Sequence, residues 1–296
     1  MSDLIKDYLK RLRIALTGAD PATIQDAFSD AEEHLWTALE QSREQSPGAS
    51  EQEAVEAAIE KYGSPEEVAA AYLDIENRLT PSFGSPRKNA KKSAAARFFG
   101  IFTDPRSYAS MFYMLFSLIT GTFYFTWAVT GLSISVGIII LIVGIPIFGF
   151  FLLSVRGLAL VEGRIIEALL GERMPRRPIF SRRDLGWLER IKVLFTDPMT
   201  WRSIIYMLLM LPLGVLYFNL IIISFSLALW GILRPVLEYG FDLPFAEFNS
   251  IAFYTPDWMM PLAVICGILW FLVTLHLARG LGRMHAKIAK GLLVKD

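Results

Sequence analysis

The stretch FTDPRSYASMFYM, which begins at Phe102, returns 93 positions later as FTDPMTWRSIIYM, which begins at Phe195. Each copy stands just before a long apolar run. At this offset, thirteen of the 29 residue pairs between 97–125 and 190–218 are identical. Apolar stretches match one another by chance, but a shared Thr-Asp-Pro does not. The chain therefore contains an internal repeat, and the two Thr-Asp-Pro corners mark equivalent points in it.

The apolar runs that follow the corners have almost no charge. No Asp, Glu, Lys or Arg lies between Arg106 and Arg156 or between Arg202 and Arg234, and a further run ends at Arg279. A membrane span needs about 20 apolar residues, and helices buried in a soluble core rarely lack a polar face over such a length. The sequence predicts an all-α membrane protein with four transmembrane helices in two parallel-repeat hairpins. The predicted spans are 108–129, 132–155, 204–231 and 258–278, with a turn near Thr130–Gly131.

The ends of the repeats align at a larger offset than their beginnings. RGLALVEGRIIEALL from Arg156 matches RGLGRMHAKIAKGLL from Arg279, 123 positions later. The second repeat therefore contains an insertion between its two spans, in the acidic and aromatic outer loop 234–257. One interpretation is a sensing loop, and the alternative is an interfacial loop whose aromatic rings lie at headgroup level. The candidate sensing residues are Glu238, Tyr239, Asp242, Glu247, Asp257 and Trp258.

The repeated corners have a structural interpretation. Asp104 and Asp197 can cap a helix, with Pro105 and Pro198 at its first position, where the missing N–H costs nothing. We expect these four residues to be structural. The small residues at the equivalent positions 121 and 214 predict close approach of two helices.

Basic residues are concentrated on one side of the predicted spans. They fill the linker 81–96, the connector 172–189 and the segment after the fourth span. Short basic loops stay in the cytoplasm, so both termini are expected there. Basic amphipathic segments attract anionic lipids, and docking of a protein partner is the alternative. The candidate contacts are Arg176, Arg177, Arg182, Arg183, Arg283, Lys287 and Lys290.

Residues 1–80 form a predicted acidic, cytoplasmic helical domain. They contain seven Lys or Arg against seventeen Asp or Glu, and their apolar residues recur at helical spacing. This negative charge opposes nucleic-acid binding, because phosphate contacts dominate that affinity. Asp30 and His34 lie one helical turn apart, but no second His and no Cys is near, so we expect no metal site. The domain could instead dock on the basic loops or on another protein.

The predicted organisation thus has five parts. The two membrane repeats are each expected to hold one hairpin, and the first has only a minimal outer turn. The parts are the acidic domain 1–80, the basic linker 81–96, the first repeat 97–171, the basic connector 172–189 and the second repeat 190–296.

Two parts of the chain resemble known families. YLKRLRIAL, from Tyr8, together with AIEKYGSPEEVAAAYL, from Ala58, resembles the HAAS-type signalling domain at the N-terminus of many bacterial membrane proteins. TDPMTWRSIIYMLLMLPLGVLYF, from Thr196, resembles the bacterial and archaeal "putative sensor" membrane domain. In the first repeat PRSYAS replaces PMTWRS. The resemblance implies a signalling protein of the bacterial cytoplasmic (inner) membrane, and since no kinase follows, its output is expected to pass through another protein.

Several functions remain open on the sequence alone. No nucleophile motif, phosphate loop or H-E-x-x-H motif is present, so we expect no enzyme, no catalytic residue and no cofactor. We favour a sensor or signalling regulator that acts on a kinase or transcription regulator through residues 1–80. A scaffold subunit of a membrane complex is the alternative. A small transporter is less favoured, because the spans offer little beyond Asn219, His276 and scattered hydroxyls. The expected partners are an anionic bilayer and a cytoplasmic protein, without nucleic acid, and a homo-oligomer is left open.

Overall fold

Helices make up almost all of the computed structural model, which describes residues 3–45, 50–78, 93–138, 144–177 and 186–294. The predicted all-α class is confirmed. The helices are α1 Asp3–Ala15, α2 Pro21–Gln45, α3 Glu51–Tyr62, α4 Pro65–Arg78, α5 Ala94–Phe99, α6 Pro105–Ile138, α7 Gly144–Leu170, α8 Trp187–Thr196, α9 Pro198–Ile232 and α10 Met260–Leu293. Shorter elements are 3-10 turns at Gly100–Thr103 and Asp257–Met259, a π turn at Val236–Gly240, and a hairpin of β1 Ala246–Phe248 with β2 Ile251–Phe253.

Four helices are long and apolar enough to cross a membrane, namely α6, α7, α9 and α10 with the turn before it. The chain is a multi-pass membrane protein. The predicted turn at Thr130–Gly131 is wrong, because α6 continues to Ile138 and α7 begins only at Gly144. A Cβ at Gly131 would overlap the ring of Phe151, so this glycine serves helix packing. In lipid a helix satisfies the hydrogen bonds of its own backbone, so a glycine within an apolar run does not by itself end the helix.

The basic segments at the repeat ends are continuous with the spans. α7 runs on to Leu170, and α10 continues from Met260 to Leu293 as 34 residues of unbroken helix. The described residues divide into two compact units. The first comprises the described parts of 1–86, 126–208 and 286–296, and the second those of 87–125 and 209–285.

The N-terminal domain lies in the first unit and has its own core. Apolar side chains of α1 and α2 are buried together with residues of α3 and α4, among them Ile5, Leu12, Leu35 and Val55. Leu12, Leu35 and Val55 are positions that the helical spacing predicts to be inside, whereas in the first turn of α1 Ile5 is buried in place of the predicted Leu4.

A capping box begins α4. The Glu67 N–H donates to the Ser64 hydroxyl at 3.3 Å, and the Ser64 N–H donates to the Glu67 carboxylate at 2.9 Å. The hydrogen bond from the Ser64 N–H, and next the Ser64 side chain, hold the pKa of the Glu67 carboxyl below its ordinary value. Gly63, with φ of 108°, supplies the left-handed residue that ends α3 and leads into the cap.

In the second unit, α6 and α9 approach each other at two equivalent glycines. A Cβ on Gly121 would overlap the Met210 carbonyl, and a Cβ on Gly214 would overlap the Ser117 carbonyl. Ser117 and Met210 are themselves equivalent in the repeat. The predicted close approach is confirmed, and the repeat makes the same contact twice.

Adding a methyl group at either contact is expected to separate the two helices. Gly121→Ala and Gly214→Ala should each lower the free energy of unfolding by about 1–3 kcal/mol, because overpacking displaces backbone. Gly137→Ala is the matched control on α6, since a Cβ there meets nothing within 4 Å. Thermal unfolding in detergent, followed by tryptophan fluorescence, measures the effect. Equal melting temperatures for all three variants would contradict the close contact.

Candidate functional site

The first unit contains a polar contact between the N-terminal domain and the membrane helices, which we call the docking site. Its acidic side is formed by Asp20, Asp26 and Asp30 at the start and along one face of α2. Its basic side is formed by the connector segment 171–177, directly after α7, and by Lys290 in the last turn of α10. The spacing of four residues between Asp26 and Asp30 places both carboxylates on the same side of the helix.

Asp26 is the most enclosed member of the docking site. Its carboxylate accepts the backbone N–H of Arg176 at 2.7 Å and of Arg177 at 2.9 Å, and the guanidinium of Arg173 lies 3.4 Å away. The side chain is 5% exposed. Burial raises the pKa of Asp26, whereas the two amide hydrogen bonds and the neighbouring arginines lower it. Burial outweighs these contacts, so the net pKa is raised, and among the contacts that lower it the two amide hydrogen bonds come before the arginine charges.

Asp30 is fixed from two sides. One carboxylate oxygen pairs with the Arg177 guanidinium, and the other accepts the hydroxyls of Tyr62 at 3.2 Å and Tyr72 at 3.0 Å. Burial, and next the negative charge of Asp30, raise the pKa of both tyrosines, so they stay protonated donors. The ring of His34 stacks on Tyr62 at 4.6 Å. Among the described residues, no group of three or more His, Cys, Asp or Glu is arranged to hold a metal.

The helices behind the connector hold the other charges of the docking site. Glu167 on α7 pairs with Arg176 at 2.7 Å and with Arg173 at 3.6 Å. Lys290 on α10 pairs with Asp20 at 2.6 Å and with Glu172 at 2.8 Å. Glu167 and Lys290 are equivalent positions of the two repeats. Two equivalent positions thus carry opposite charges and bind different segments. Glu167 binds the connector, and Lys290 binds Asp20 at the start of α2.

Each Thr-Asp-Pro corner caps the following helix and pairs with an arginine of the other repeat. The N–H of Arg106 donates to Asp104 and that of Met199 donates to Asp197, both at 3.1 Å. In the first unit Asp197 pairs with Arg156, which also donates to a threonine hydroxyl. In the second unit Asp104 pairs with Arg279 at 2.7 Å. Arg156 and Arg279 are equivalent, so the two repeats exchange the same ion pair.

A second exchanged contact lies close to each ion pair in sequence. In the first unit the Tyr206 hydroxyl donates to Glu162 at 3.1 Å. In the second unit the Tyr113 hydroxyl lies 2.6 Å from Nε2 of His285. The tyrosines are equivalent to each other, as are Glu162 and His285. The trailing part of one repeat therefore binds the leading part of the other in both cases.

The outer loop, in the second unit, is organised around a buried arginine. Arg234 pairs with Glu238 and donates to the Thr255 hydroxyl at 2.9 Å, and the N–H of Thr255 donates to Glu238 at 2.7 Å. Its guanidinium also lies over the rings of Trp230 at 5.3 Å and Phe245 at 5.6 Å. This cluster closes the base of the loop, from which β1 and β2 project.

Polar pairs and exposed rings cover the rest of the outer loop. Tyr239 donates to Asp257 at 2.6 Å, and Tyr254 donates to Asp242 at 3.0 Å. These hydrogen bonds raise the pKa of both tyrosines. Trp258 is 75% exposed. Large apolar rings are also exposed at Phe241, Phe245, Phe248 and Phe253.

Models of known protein families match both the membrane part and the N-terminal domain. A family model described as "Putative sensor" matches residues 113–293, which is more than half of the chain. The chain belongs to the "Putative sensor" family. A second family model, described as HAAS, matches residues 7–71. Both resemblances from the sequence are confirmed, and the two domains of this "Putative sensor" protein fit a sensor or regulatory role. No curated protein and no solved structure matched the chain.

The structure separates the basic residues that sequence analysis grouped together in this "Putative sensor" chain. Arg176, Arg177 and Lys290 belong to the docking site. Arg283 and Lys287 are exposed on α10, where contact with anionic lipid stays a prediction. The predicted contacts Arg182 and Arg183 lie outside the described residues. The acidic domain does dock on the basic connector, which the sequence had left open.

The candidate sensing residues of this "Putative sensor" chain also fall into different settings. Glu238 is buried in the ion pair at the loop base, whereas Glu247 and Trp258 are exposed. Tyr239, Asp242 and Asp257 take part in exposed hydrogen bonds. A sensing role stays a prediction for all six. The transporter alternative gains nothing from Asn219, whose amide donates to the Val215 carbonyl of its own helix at 2.8 Å.

Sequence reasoning missed the residues that hold the "Putative sensor" chain together across the repeats. Arg156 and Arg279 were recognised as equivalent ends but not as partners of the corner aspartates. A signal was present, because each repeat carries one acidic corner and one basic end. Asp20 and Asp26 carried no such signal, since α2 contains several acidic residues in similar surroundings.

Proposed function

We propose that this chain is an integral membrane sensor that regulates a cytoplasmic partner and has no catalytic output of its own. The input is the state of the bilayer or a ligand at the outer loop. The output is the accessibility of the N-terminal domain to a kinase or transcription regulator. In this proposal the chain lies in the inner membrane of a bacterium, with both termini in the cytoplasm.

One observation carries the proposal: α10 links the outer loop to the docking site. The helix begins at Met260, directly after the loop, and continues unbroken to Leu293. Lys290 in its last turn binds Asp20 at the start of α2. A rotation or axial shift of α10 therefore moves Lys290 relative to Asp20, because a helix transmits such motion along its length.

The docking site has the character of a switchable contact. It depends on hydrogen bonds and ion pairs, and each charge-assisted hydrogen bond contributes about 1.5–3 kcal/mol. A change of that size shifts the ratio of docked to released domain by about 10- to 100-fold. A sensor requires two such states with different affinity for its partner.

Capture from native membranes tests the proposal. The tagged full-length chain is crosslinked in cells and compared with two variants, one lacking residues 3–78 and one with hairpin residues 246–253 replaced by Gly-Gly. We expect a soluble transcription regulator or kinase with the full chain, none with the first variant, and an altered amount with the second. Glu247→Gln, within the same hairpin, shows whether this candidate sensing residue accounts for the change by itself.

Two results would count against this function. Recovery of integral membrane proteins alone would favour the scaffold alternative. If the hairpin replacement does not change the amount of regulator recovered, the outer loop is excluded as the input.

A further inference from the structure

We propose that the N-terminal domain carries a binding site for a short arginine-containing peptide that turns to direct two successive amides at one carboxylate, and that the connector occupies this site as an intramolecular ligand. This inference rests on the proposed function and names the chemistry of the partner. The site, called the peptide site below, is formed by Asp26 and Asp30 of α2 with Tyr62 and Tyr72 behind them. A cytoplasmic partner that presents a similar segment would compete with the connector.

The peptide site recognises main chain as well as side chains. One oxygen of Asp26 accepts two successive backbone N–H groups, those of Arg176 and Arg177. Successive amides directed at one anion form a recurring anion-binding arrangement, here with the anion on the receptor and the amides on the ligand. These two backbone hydrogen bonds give affinity for a segment that turns in this way, and the neighbouring side-chain contacts select its sequence.

Selection for arginine comes from both carboxylates. Asp30 pairs with the guanidinium of Arg177, and Asp26 faces that of Arg173. Tyr62 and Tyr72 fix Asp30 through its second oxygen. A guanidinium is more weakly hydrated than the ammonium of lysine, so arginine is the cation favoured in a part-buried ion pair of this kind. The pattern that the site selects is therefore arginine, three residues, arginine, as in RMPRR.

When the connector leaves this site, two of its arginines keep an ion-pair partner. Glu167 on α7 already pairs with Arg173 and Arg176, so both keep a partner on the membrane side. The rim is open as well: Arg177 is 48% and Asp30 is 26% exposed. The core of the domain is built from other residues, such as Leu12 and Leu35. Exchange of one peptide for another therefore leaves the domain fold in place.

Competition explains how the membrane would control the partner. A tethered segment acts at an effective concentration in the mM range, so a free peptide binds weakly while the connector is seated. Weakening the connector raises the apparent affinity of the peptide site for a second ligand. Weakening the site itself lowers it. The two kinds of variant thus have opposite effects, which loss of folding cannot produce.

The experiment uses the full-length chain in phosphatidylcholine nanodiscs, whose neutral surface does not attract a basic peptide. The probe is fluorescein-labelled GERMPRR, the sequence of residues 171–177, and the control probe is GEQMPQQ. Fluorescence anisotropy measures binding to the unmodified chain, to the double variant Arg173→Gln with Arg177→Gln, and to that double variant with Asp26→Ala added.

We expect the double variant to bind GERMPRR at least about tenfold more tightly than the unmodified chain, because its connector competes less well. Adding Asp26→Ala should abolish this gain, and GEQMPQQ, which keeps the backbone amides but lacks the arginines, should bind the double variant at least about tenfold more weakly than GERMPRR does. Three results would overturn the peptide site: no gain in the double variant, a gain that survives Asp26→Ala, or equal binding of both probes. If the crosslinking experiment captures a regulator but the double variant shows no gain in peptide affinity, the proposed function is retained and only the peptide site is rejected.

Discussion

Asp26→Ala is expected to release the connector from the N-terminal domain in the intact protein. The substitution removes the acceptor of the Arg176 and Arg177 amides, which then lack this hydrogen-bond partner in a part-buried setting. An unsatisfied donor costs about 1–3 kcal/mol when it is buried, so two part-buried amides are expected to cost about 2–4 kcal/mol together. Amide hydrogen exchange in nanodiscs should therefore show about 30- to 1,000-fold faster exchange at residues 176 and 177.

Glu33→Gln provides the control for this variant. Glu33 also faces Arg177, at 4.0 Å, but its side chain is 54% exposed. Exposed ion pairs contribute about 0–1 kcal/mol, so protection of the two amides should change little. Equal exchange in both variants, or full protection in Asp26→Ala, would show that the Asp26 hydrogen bonds do not hold the connector.

Mild acid is not expected to reproduce the effect of Asp26→Ala. Burial raises the pKa of Asp26 in the docked state above its ordinary value of 3.8. The docked state therefore binds this proton more tightly than the released state, and protonation of Asp26 favours docking as the pH falls through the raised pKa. Loss of the acceptor and loss of its charge are thus different perturbations, and only the first frees the connector.

Glu238→Ala is expected to unfold the outer loop. Arg234 is 2% exposed at its side chain and has Glu238 as its ion-pair partner. Removing the carboxylate leaves a buried cation without its ion-pair partner, which costs about 3–5 kcal/mol. The Thr255 amide also loses its acceptor. We expect rapid hydrogen exchange at Thr255 and proteolytic cleavage between residues 242 and 256 in reconstituted protein.

Glu247→Gln is the matched comparison within the same loop. Glu247 lies on β1 with an exposed side chain, so loss of its charge should leave the loop resistant to protease. Cleavage of Glu238→Ala no faster than of Glu247→Gln would mean that the Arg234 cluster does not hold the loop. The comparison also separates folding from sensing, because Glu247 remains a candidate for contact with a ligand.

Features that depend on residues close to one another in the sequence were predictable. The capping box at Ser64 and Glu67 needs two residues three positions apart, and the four membrane helices need long uncharged runs. The predicted turn at Thr130–Gly131 failed for a related reason. Its surroundings are uniformly apolar, and in such a run glycine serves helix packing as readily as chain reversal.

The sequence by itself therefore determined the four membrane helices and the helical N-terminal domain, and its internal similarity predicted a repeat with an insertion in the second copy. These follow from composition and periodicity, which act locally along the chain. Only the tertiary structure decided which charges meet: Asp26 with the connector amides 150 and 151 positions away, and each corner aspartate with the arginine of the other repeat. The chain contains many acidic and many basic side chains, and their types alone do not say which will pair. The packing of helices that are distant in sequence selects the pairs.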